Sequence, residues 1–216
     1  MTPNEHNNER APQLAEELAR TLQYPVIQAL TQRLTEFTPA EALRYADSKL
    51  AAVAALIRIA DSERAELLFI KRAVLERDPW SGHVAFPGGR QDAGDASLAE
   101  TAMRETREEL SMDIARYGKI IGRLDDLAPR SPALPPIIVR PFVAVVPATL
   151  SFILSTREVA DAFWVPISQL RSAAAQTEYH LTRDGVDARF PAFGFGAHVV
   201  WGLTERIVSQ LLPLFD

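Results

Sequence analysis

The feature that most constrains the fold of this chain is an amphipathic segment at residues 97–110. Successive residues of an α-helix are rotated by about 100°, so the small and apolar side chains of this segment fall into one arc. A neighbouring arc carries three carboxylates, those of Glu105, Glu108 and Glu109. The pattern predicts a helix that packs on a core along one side and directs Arg104 away from that core.

Three carboxylates on one side of a helix repel one another. Like charges three or four residues apart destabilise a helix by ~0.2–0.5 kcal/mol per pair, and a hard divalent cation with oxygen ligands would relieve the repulsion. The Phe-Pro-Gly-Gly turn at residues 86–89 comes shortly before the helix, and its glycines allow the backbone to approach an anion closely. The alternative is an ordinary solvated acidic face. The turn and the helix together favour a site that holds metal and pyrophosphate.

The rest of the main region alternates strand-like and helix-like segments. Strands are predicted at residues 51–59, 66–72, 114–124 and 137–146, and further helices at residues 166–174 and 198–212. This order predicts an α/β (α+β) fold, with a mixed sheet sandwiched between helices.

Residues 1–50 are predicted to form an N-terminal extension of the main domain, which spans residues 51–216. Residues 1–10 are rich in Asn, Glu and Pro, which is typical of a disordered tail. Leu14, Leu18 and Leu22 then recur at helical spacing, and residues 38–41 resemble a helix start. Two or three short helices are therefore expected before residue 50.

Composition excludes several classes of function. The net charge of −5 argues against a general nucleic-acid binder, and the absence of cysteine excludes disulfides and thiolate metal sites. No apolar stretch is long enough to cross a bilayer, and the first residues lack a signal-peptide core. We expect a cytoplasmic enzyme with a small-molecule partner and no membrane or nucleic-acid partner.

Residues 89–112 resemble the Nudix box, the signature of hydrolases that act on a nucleoside diphosphate linked to another group. The usual pattern is Gly, five residues, Glu, seven residues, then Arg-Glu-U-x-Glu-Glu-x-Gly-U, where U is apolar. Gly89 and Arg104 are one residue further apart than in that pattern. The longer spacer, with Asp95 near the usual first Glu, resembles the coenzyme A pyrophosphatase branch. The remaining positions are taken by Thr106, Ser111 and Met112.

The resemblance implies a Mg²⁺-dependent hydrolase of a phosphoanhydride bond, with Mn²⁺ as a second usable ion. Glu105, Glu108 and Glu109 would bind the metal with help from the Gly89 carbonyl. Glu105 is the first choice as the base that accepts the proton of water, together with Glu109 as a catalytic carboxylate. Arg104 would orient a glutamate through charge-assisted hydrogen bonds.

Substrate contacts are predicted around the glycine turn. The resemblance extends over roughly residues 51–212, and it adds Glu158 as a supplementary carboxylate, which could equally be a plain loop acid. His83 could cap a loop, and Trp80 or Phe86 could stack on a base, although core packing is the commoner use of Phe86. Trp164 and Trp201 are expected in the core. The residues predicted to bind substrate are Arg72, Arg77, Gly88 and Arg90.

Several substrates remain open. In the coenzyme A motif of the branch, two threonines stand where this chain has Ile70 and Arg72, and the loss of hydroxyls could redirect specificity. The alternatives to coenzyme A or an acyl-CoA are ADP-ribose, a nucleotide sugar, a dinucleoside polyphosphate and a nucleoside triphosphate. A non-catalytic ligand sensor is a further hypothesis. The N-terminal helices could also form a homodimer contact through the stripe of Leu14, Leu18 and Leu22.

Overall fold

The computed structural model describes residues 3–44, 47–60, 63–76, 80–129, 136–183 and 186–216. The helices are α1 (Pro3–Glu9), α2 (Ala11–Thr21), α3 (Pro25–Glu36), α4 (Leu98–Leu110), α5 (Ile114–Tyr117), α6 (Ile167–Leu170) and α7 (Gly202–Leu211), with 3-10 turns at Ala173–Ala175 and Leu212–Phe215. The strands are β1 (Lys49–Ile59), β2 (Ala65–Arg72), β3 (Val84–Ala85), β4 (Gly88–Arg90), β5 (Lys119–Arg123), β6 (Ile137–Val145), β7 (Val159–Pro166), β8 (Gln176–Arg183), β9 (Val186–Phe195) and β10 (His198–Trp201). Across these ranges, every helix is too short or too polar to serve as a membrane span.

The described strands form two sheets. The larger has seven strands in the order β3-β2-β1-β6-β5, with β4 also paired to β1 and β7 to β2. β1 and β6 run parallel, and the other pairs of this sheet are antiparallel. The smaller sheet contains β8, β9 and β10. The predicted mixed α/β architecture is confirmed.

Helices cover both faces of the central strands. Ile57 of β1 belongs to a core cluster with Leu30 of α3 and Ile207 of α7. The adjacent Leu56 belongs to a second cluster with Leu110 of α4. Parallel strands normally need this cover on both faces, which explains the nearly continuous apolar sequence of β1. The α4 side of the sheet carries the predicted site.

The N-terminal extension differs from its prediction. Residues 3–9 form helix α1 instead of a disordered tail, because Asn7 is buried and bonded to the rest of the protein. Leu14 is fully buried, while Leu18 and Leu22 are partly buried against the core. The leucine stripe thus packs on its own chain and is not the exposed apolar surface that a homodimer contact through it would need.

Residues 38–41 do not start a helix. The Ala40 N–H donates to the carboxylate of Asp125 at 2.7 Å, and the Ala40 carbonyl accepts from the Asp126 N–H at 3.0 Å. These bonds to the loop after β5 replace the hydrogen bonds that a helix would make. The local signal is overridden by a long-range contact.

Four other predicted segments are divided differently in the structure. The predicted strand at residues 114–124 begins as α5, which Asp113 caps by accepting the Arg116 N–H, and only then becomes β5. The predicted helix at residues 198–212 begins as β10, and α7 starts at Gly202. Residues 166–174 give α6 and part of a 3-10 turn. Gly88 and Gly89 belong to strand β4, since they pair with β1.

Candidate active site

Helix α4 places the predicted carboxylates beside strand β4. The helix begins after Ser97, whose side chain accepts a hydrogen bond from the Glu100 N–H at 3.2 Å. Its buried side, which includes Leu110, packs on the core under β1. Because β4 pairs with β1, Gly88 and Gly89 lie next to the neighbouring side of the helix.

Glu109 is the most buried of the three glutamates, with an exposed fraction of 2%. Its Oε2 accepts a hydrogen bond from the Gly88 N–H at 2.9 Å, and its Oε1 lies 4.0 Å from Nη1 of Arg72. Burial raises the pKa of Glu109 to about 8; the Gly88 bond and Arg72 oppose the rise, while the charges of Glu105 and Glu158 add to it. The carboxyl group therefore holds a proton at neutral pH unless a cation takes its place.

Gly88 fixes the position of Glu109. Its φ is 152°, and a Cβ atom at this residue would lie 2.3 Å from the carbonyl oxygen of Ala52 and 2.6 Å from the Cα of Val53. A side chain is excluded unless β1 and β4 move apart. The sequence predicts Gly88 as a substrate ligand, but here its N–H is engaged by Glu109.

Gly89 lies directly under the carboxylate of Glu105. A Cβ atom at Gly89 would be 2.4 Å from both the Cδ and the Oε1 of Glu105, so any side chain would displace that carboxylate. The Glu105 side chain is 15% exposed. Burial raises the pKa of Glu105, Arg104 opposes the rise, and the charges of Glu108 and Glu158 add to it.

Arg104 organises the outer part of the site, on the side of α4 away from the core. Its side chain is only 18% exposed and forms a two-point contact with Asp95, in which Nε and Nη2 each donate at 2.9 Å. Nη1 donates to Glu105 and to Glu108, each at 3.0 Å, and Nη2 also donates to the Arg90 carbonyl at 2.9 Å. The guanidinium group lowers the pKa of Asp95, and Asp95 raises that of Arg104.

Asp95 is a site residue whose role only the structure reveals. The sequence places it near the first Glu of the Nudix pattern, but gives no partner for it. Its side chain is 6% exposed, and besides Arg104 it accepts a hydrogen bond from the Thr101 hydroxyl at 3.0 Å. Asp95 therefore holds Arg104 in the orientation that reaches both glutamates.

Glu158 is brought to the same place by backbone bonds. The Ser155 N–H donates to the Glu109 carbonyl at 2.8 Å, and the Ala73 N–H donates to the Glu158 carbonyl at 2.8 Å. The Glu158 side chain is exposed, and its charge acts on both Glu105 and Glu109. The structure therefore groups Glu158 with Glu105 and Glu109.

The three glutamates of the motif do not form a complete metal-binding arrangement in the structure. Glu108 is 51% exposed and is bonded to Arg104, whereas Glu109 is turned into the protein. Within the described ranges, no three His, Asp or Glu side chains are arranged to hold a metal ion. Glu105 and Glu108 thus share Arg104 as a donor, while Glu109 is held separately by the Gly88 N–H.

The donor set nevertheless fits a hard divalent cation. The charge of Glu158 raises the pKa of both Glu105 and Glu109, and the charge of Glu105 raises that of Glu109, so negative charge is concentrated at one place. Gly89 has no side chain, so its backbone lies open beside the Glu105 carboxylate. Carboxylate and carbonyl oxygens are the ligands that Mg²⁺ and Mn²⁺ accept.

The predicted substrate contacts that the structure describes lie around these carboxylates and their partners. Arg72 reaches Glu109, and the exposed Arg90 contributes its carbonyl to Arg104. Arg77 lies outside the described residues. Ile70 is fully buried, so its side chain cannot contact a substrate.

Aromatic residues near the site agree only in part with their predictions. Phe86 is 2% exposed and stacks on Phe69 in the core, with ring centroids 5.1 Å apart. Trp201 is only partly buried, and its ring stacks on Tyr179 at 4.1 Å and lies 4.8 Å from His83. The sequence predicts Trp201 as core, and it gives no signal for this cluster because β3, β8 and β10 are distant in the chain.

Comparisons with known proteins agree with this architecture. The model of the NUDIX domain family matches residues 49–185. The uncharacterized Nudix hydrolase NudL of Photorhabdus laumondii is 33% identical over 158 residues, which cover 73% of this chain and 81% of that protein. NudL of Yersinia pestis is 34% identical over 158 residues, covering 73% of this chain and 76% of that protein.

A solved structure shows the same fold. The MutT/nudix family protein from Enterococcus faecalis aligns with a TM-score of 0.54 and 16% identity, over 88% of this chain and 68% of that chain. The family match and the NudL relatives therefore agree with the fold likeness. This chain belongs to the Nudix hydrolase family.

Proposed function

We propose that this chain is a Mg²⁺-dependent pyrophosphohydrolase, with Mn²⁺ as a substitute, whose substrate is coenzyme A or an acyl-CoA. The observation that carries the proposal is the placement of Glu109 on the Gly88 N–H, beside Glu105 over Gly89. This arrangement joins a buried acid, a second carboxylate and a glycine backbone, which is what a metal-assisted attack on a diphosphate needs. The cysteine-free composition suits a reducing, cytoplasmic setting.

Each residue has a role in the proposed reaction. Glu105, Glu109 and Glu158 would hold the cation with the Gly89 carbonyl, and Glu108 would join them from the surface. When bound, the ion supplies charge neutralisation of the diphosphate and lowers the pKa of water.

Glu105 accepts the proton of the attacking water, and Arg104 keeps Glu105 oriented for that transfer. Water adds to one phosphorus of the diphosphate, and the bridging P–O bond breaks. One product keeps the bridging oxygen, and the other gains the oxygen of the water. Coenzyme A would give adenosine 3′,5′-bisphosphate and phosphopantetheine.

The two replaced threonines have different consequences for specificity. Ile70 lies in the core, so its replacement changes packing and removes no ligand contact. Arg72 is 27% exposed and reaches Glu109, so a cation here adds positive charge next to the diphosphate site. The substitutions are thus compatible with a coenzyme A substrate.

A direct assay tests the proposal. Purified protein with Mg²⁺ is incubated with coenzyme A, ADP-ribose, NADH and nucleoside triphosphates, and the products are separated by HPLC. We expect coenzyme A to be cleaved by the wild type and by Glu100→Gln, a charge change on the exposed first turn of α4, but not by Glu109→Gln.

Each other outcome has a defined meaning. If ADP-ribose or a triphosphate is cleaved and coenzyme A is not, the substrate assignment is overturned but the hydrolase activity stands. Inactivity on every compound, with metal present, would overturn the proposed hydrolase activity and favour the hypothesis of a non-catalytic sensor.

A further inference from the structure

The segment that follows β6 caps the catalytic helix. The last carbonyl groups of an α-helix have no partner within the helix. In α4, the Leu110 carbonyl accepts from the Ile153 N–H at 2.9 Å, and the Glu109 carbonyl accepts from the Ser155 N–H at 2.8 Å. Residues 149–158, here named the capping segment, therefore set both the end of α4 and the position of Glu158.

Asn7 of helix α1 holds the other end of this segment. Its Nδ2 donates to the Ser151 carbonyl at 3.0 Å, and its Oδ1 accepts from the Ser151 N–H at 3.3 Å. Asn7 is 1% exposed. A buried amide that satisfies both polar groups of one residue fixes the backbone of that residue, since losing either bond would leave a buried group unpaired.

Helix α2 adds a second contact to the same turn. The Thr149 N–H donates to Oε1 of Glu17 at 3.1 Å, and Arg10 Nη2 donates to the Thr149 hydroxyl at 3.1 Å. Asn8 accepts a hydrogen bond from the Tyr117 hydroxyl at 2.6 Å, which ties α1 to the short helix that follows α4. The extension thus binds the capping segment and its surroundings at several points.

We propose that residues 7–17 act as a clamp that positions the capping segment, and through it Glu158 and the backbone of Glu109, for catalysis. Asn7 and Glu17 are positioning residues in this proposal, which rests on the proposed hydrolase function. These residues lie before residue 49, where the match to the family domain begins. The clamp would be the contribution of the N-terminal extension to the family reaction.

The test compares clamp variants with a control in the same extension. Asn7→Ala removes both bonds to Ser151, and Glu17→Ala removes the bonds to Thr149 from the surface of α2. Glu17→Gln keeps an acceptor for the Thr149 N–H and should rescue. Arg33→Ala is the control, because it removes a 3.0 Å bond from α3 to the Leu214 carbonyl, away from the capping segment.

We expect Asn7→Ala and Glu17→Ala to lower kcat roughly tenfold with little change in KM, and to weaken Mn²⁺ binding several-fold. The amide protons of Ile153 and Ser155 should exchange faster with deuterium in both variants. Glu17→Gln and Arg33→Ala should behave as the wild type in all three measurements.

Two results would overturn the clamp. One is unchanged exchange at Ser155 in both Asn7→Ala and Glu17→Ala; the other is faster exchange with kcat and Mn²⁺ affinity equal to those of Arg33→Ala. The exchange and Mn²⁺ measurements need no substrate. If no compound is cleaved, the proposed function fails while these measurements still decide whether the clamp holds the segment.

Discussion

Two adjacent regions of α4 hold their carboxylates in opposite ways. In the buried seam between α4 and β4, Glu109 is 2% exposed and is held by the backbone N–H of Gly88. In the Arg104 network on the outer side of the helix, Glu108 is 51% exposed and is held by a side chain. Glu108 and Glu109 are adjacent in the sequence, but Glu109 lies in a buried, backbone-held environment and Glu108 in an exposed, side-chain-held one.

The difference follows from what surrounds each group. Gly88 pairs with Val53 of β1 and has no room for a side chain, so the seam fixes the Glu109 carboxylate at the cost of a raised pKa. Arg104 is oriented by Asp95, and we expect it to release its glutamates when a cation binds. We therefore expect the seam to supply the carboxylate that activity requires. We expect the Arg104 network to adjust the activity by a smaller amount.

The largest effect should separate Glu109 from Glu108. Glu109→Gln should lower kcat/KM by about 10³-fold, because it removes the buried carboxylate that holds the cation, and the charge stabilisation by a metal ion is worth several kcal/mol. Glu108→Gln should lower kcat/KM by less than about tenfold, since solvent can replace its exposed carboxylate. Steady-state kinetics with Mg²⁺ check both values, and equal losses for the two variants would remove the distinction between the regions.

A smaller effect should come from Arg104→Lys. Lysine keeps the positive charge but cannot make the two-point contact with Asp95 while also reaching Glu105. We expect kcat to fall about 10- to 100-fold, as for other groups that orient metal-binding carboxylates. Full activity in Arg104→Lys would show that charge alone, without the fork of bonds, is sufficient.

The smallest effect concerns stability in metal-free protein. The folded-state pKa of Glu109 is raised from 4.5 to about 8, so between these values the folded state keeps a proton that the unfolded state has lost. The free energy of unfolding should therefore decrease as pH rises through this window. Denaturant unfolding in EDTA should show a shallower decrease for Glu109→Gln than for wild type. Parallel pH profiles would place Glu109 in a more solvated position than the seam gives it.

Local periodicity predicted part of this site, and long-range pairing determined the rest. Helix α4 follows from spacing within one segment, and β1 and β2 follow from their apolar runs. The burial of Glu109 depends on β4 pairing with β1, a contact between segments about 35 residues apart that no helical pattern contains.

The N-terminal region shows the same limit. Residues 3–9 look like a polar tail, because their order comes from bonds such as that of Asn7 to Ser151, 144 residues away. The aromatic cluster of Tyr179 and Trp201 likewise needs β8 and β10 to meet through β9. Asp95 was visible in the motif, but its bond to Arg104 required the folded loop.

The measurement that tests the central claim most directly is Mn²⁺ binding to substrate-free protein, followed by electron paramagnetic resonance of free Mn²⁺. The wild type and Glu100→Gln should bind with the same affinity, and Glu109→Gln should bind at least about tenfold more weakly. Equal affinity in wild type and Glu109→Gln would contradict the account, because the buried carboxylate on Gly88 would then have no part in holding the cation.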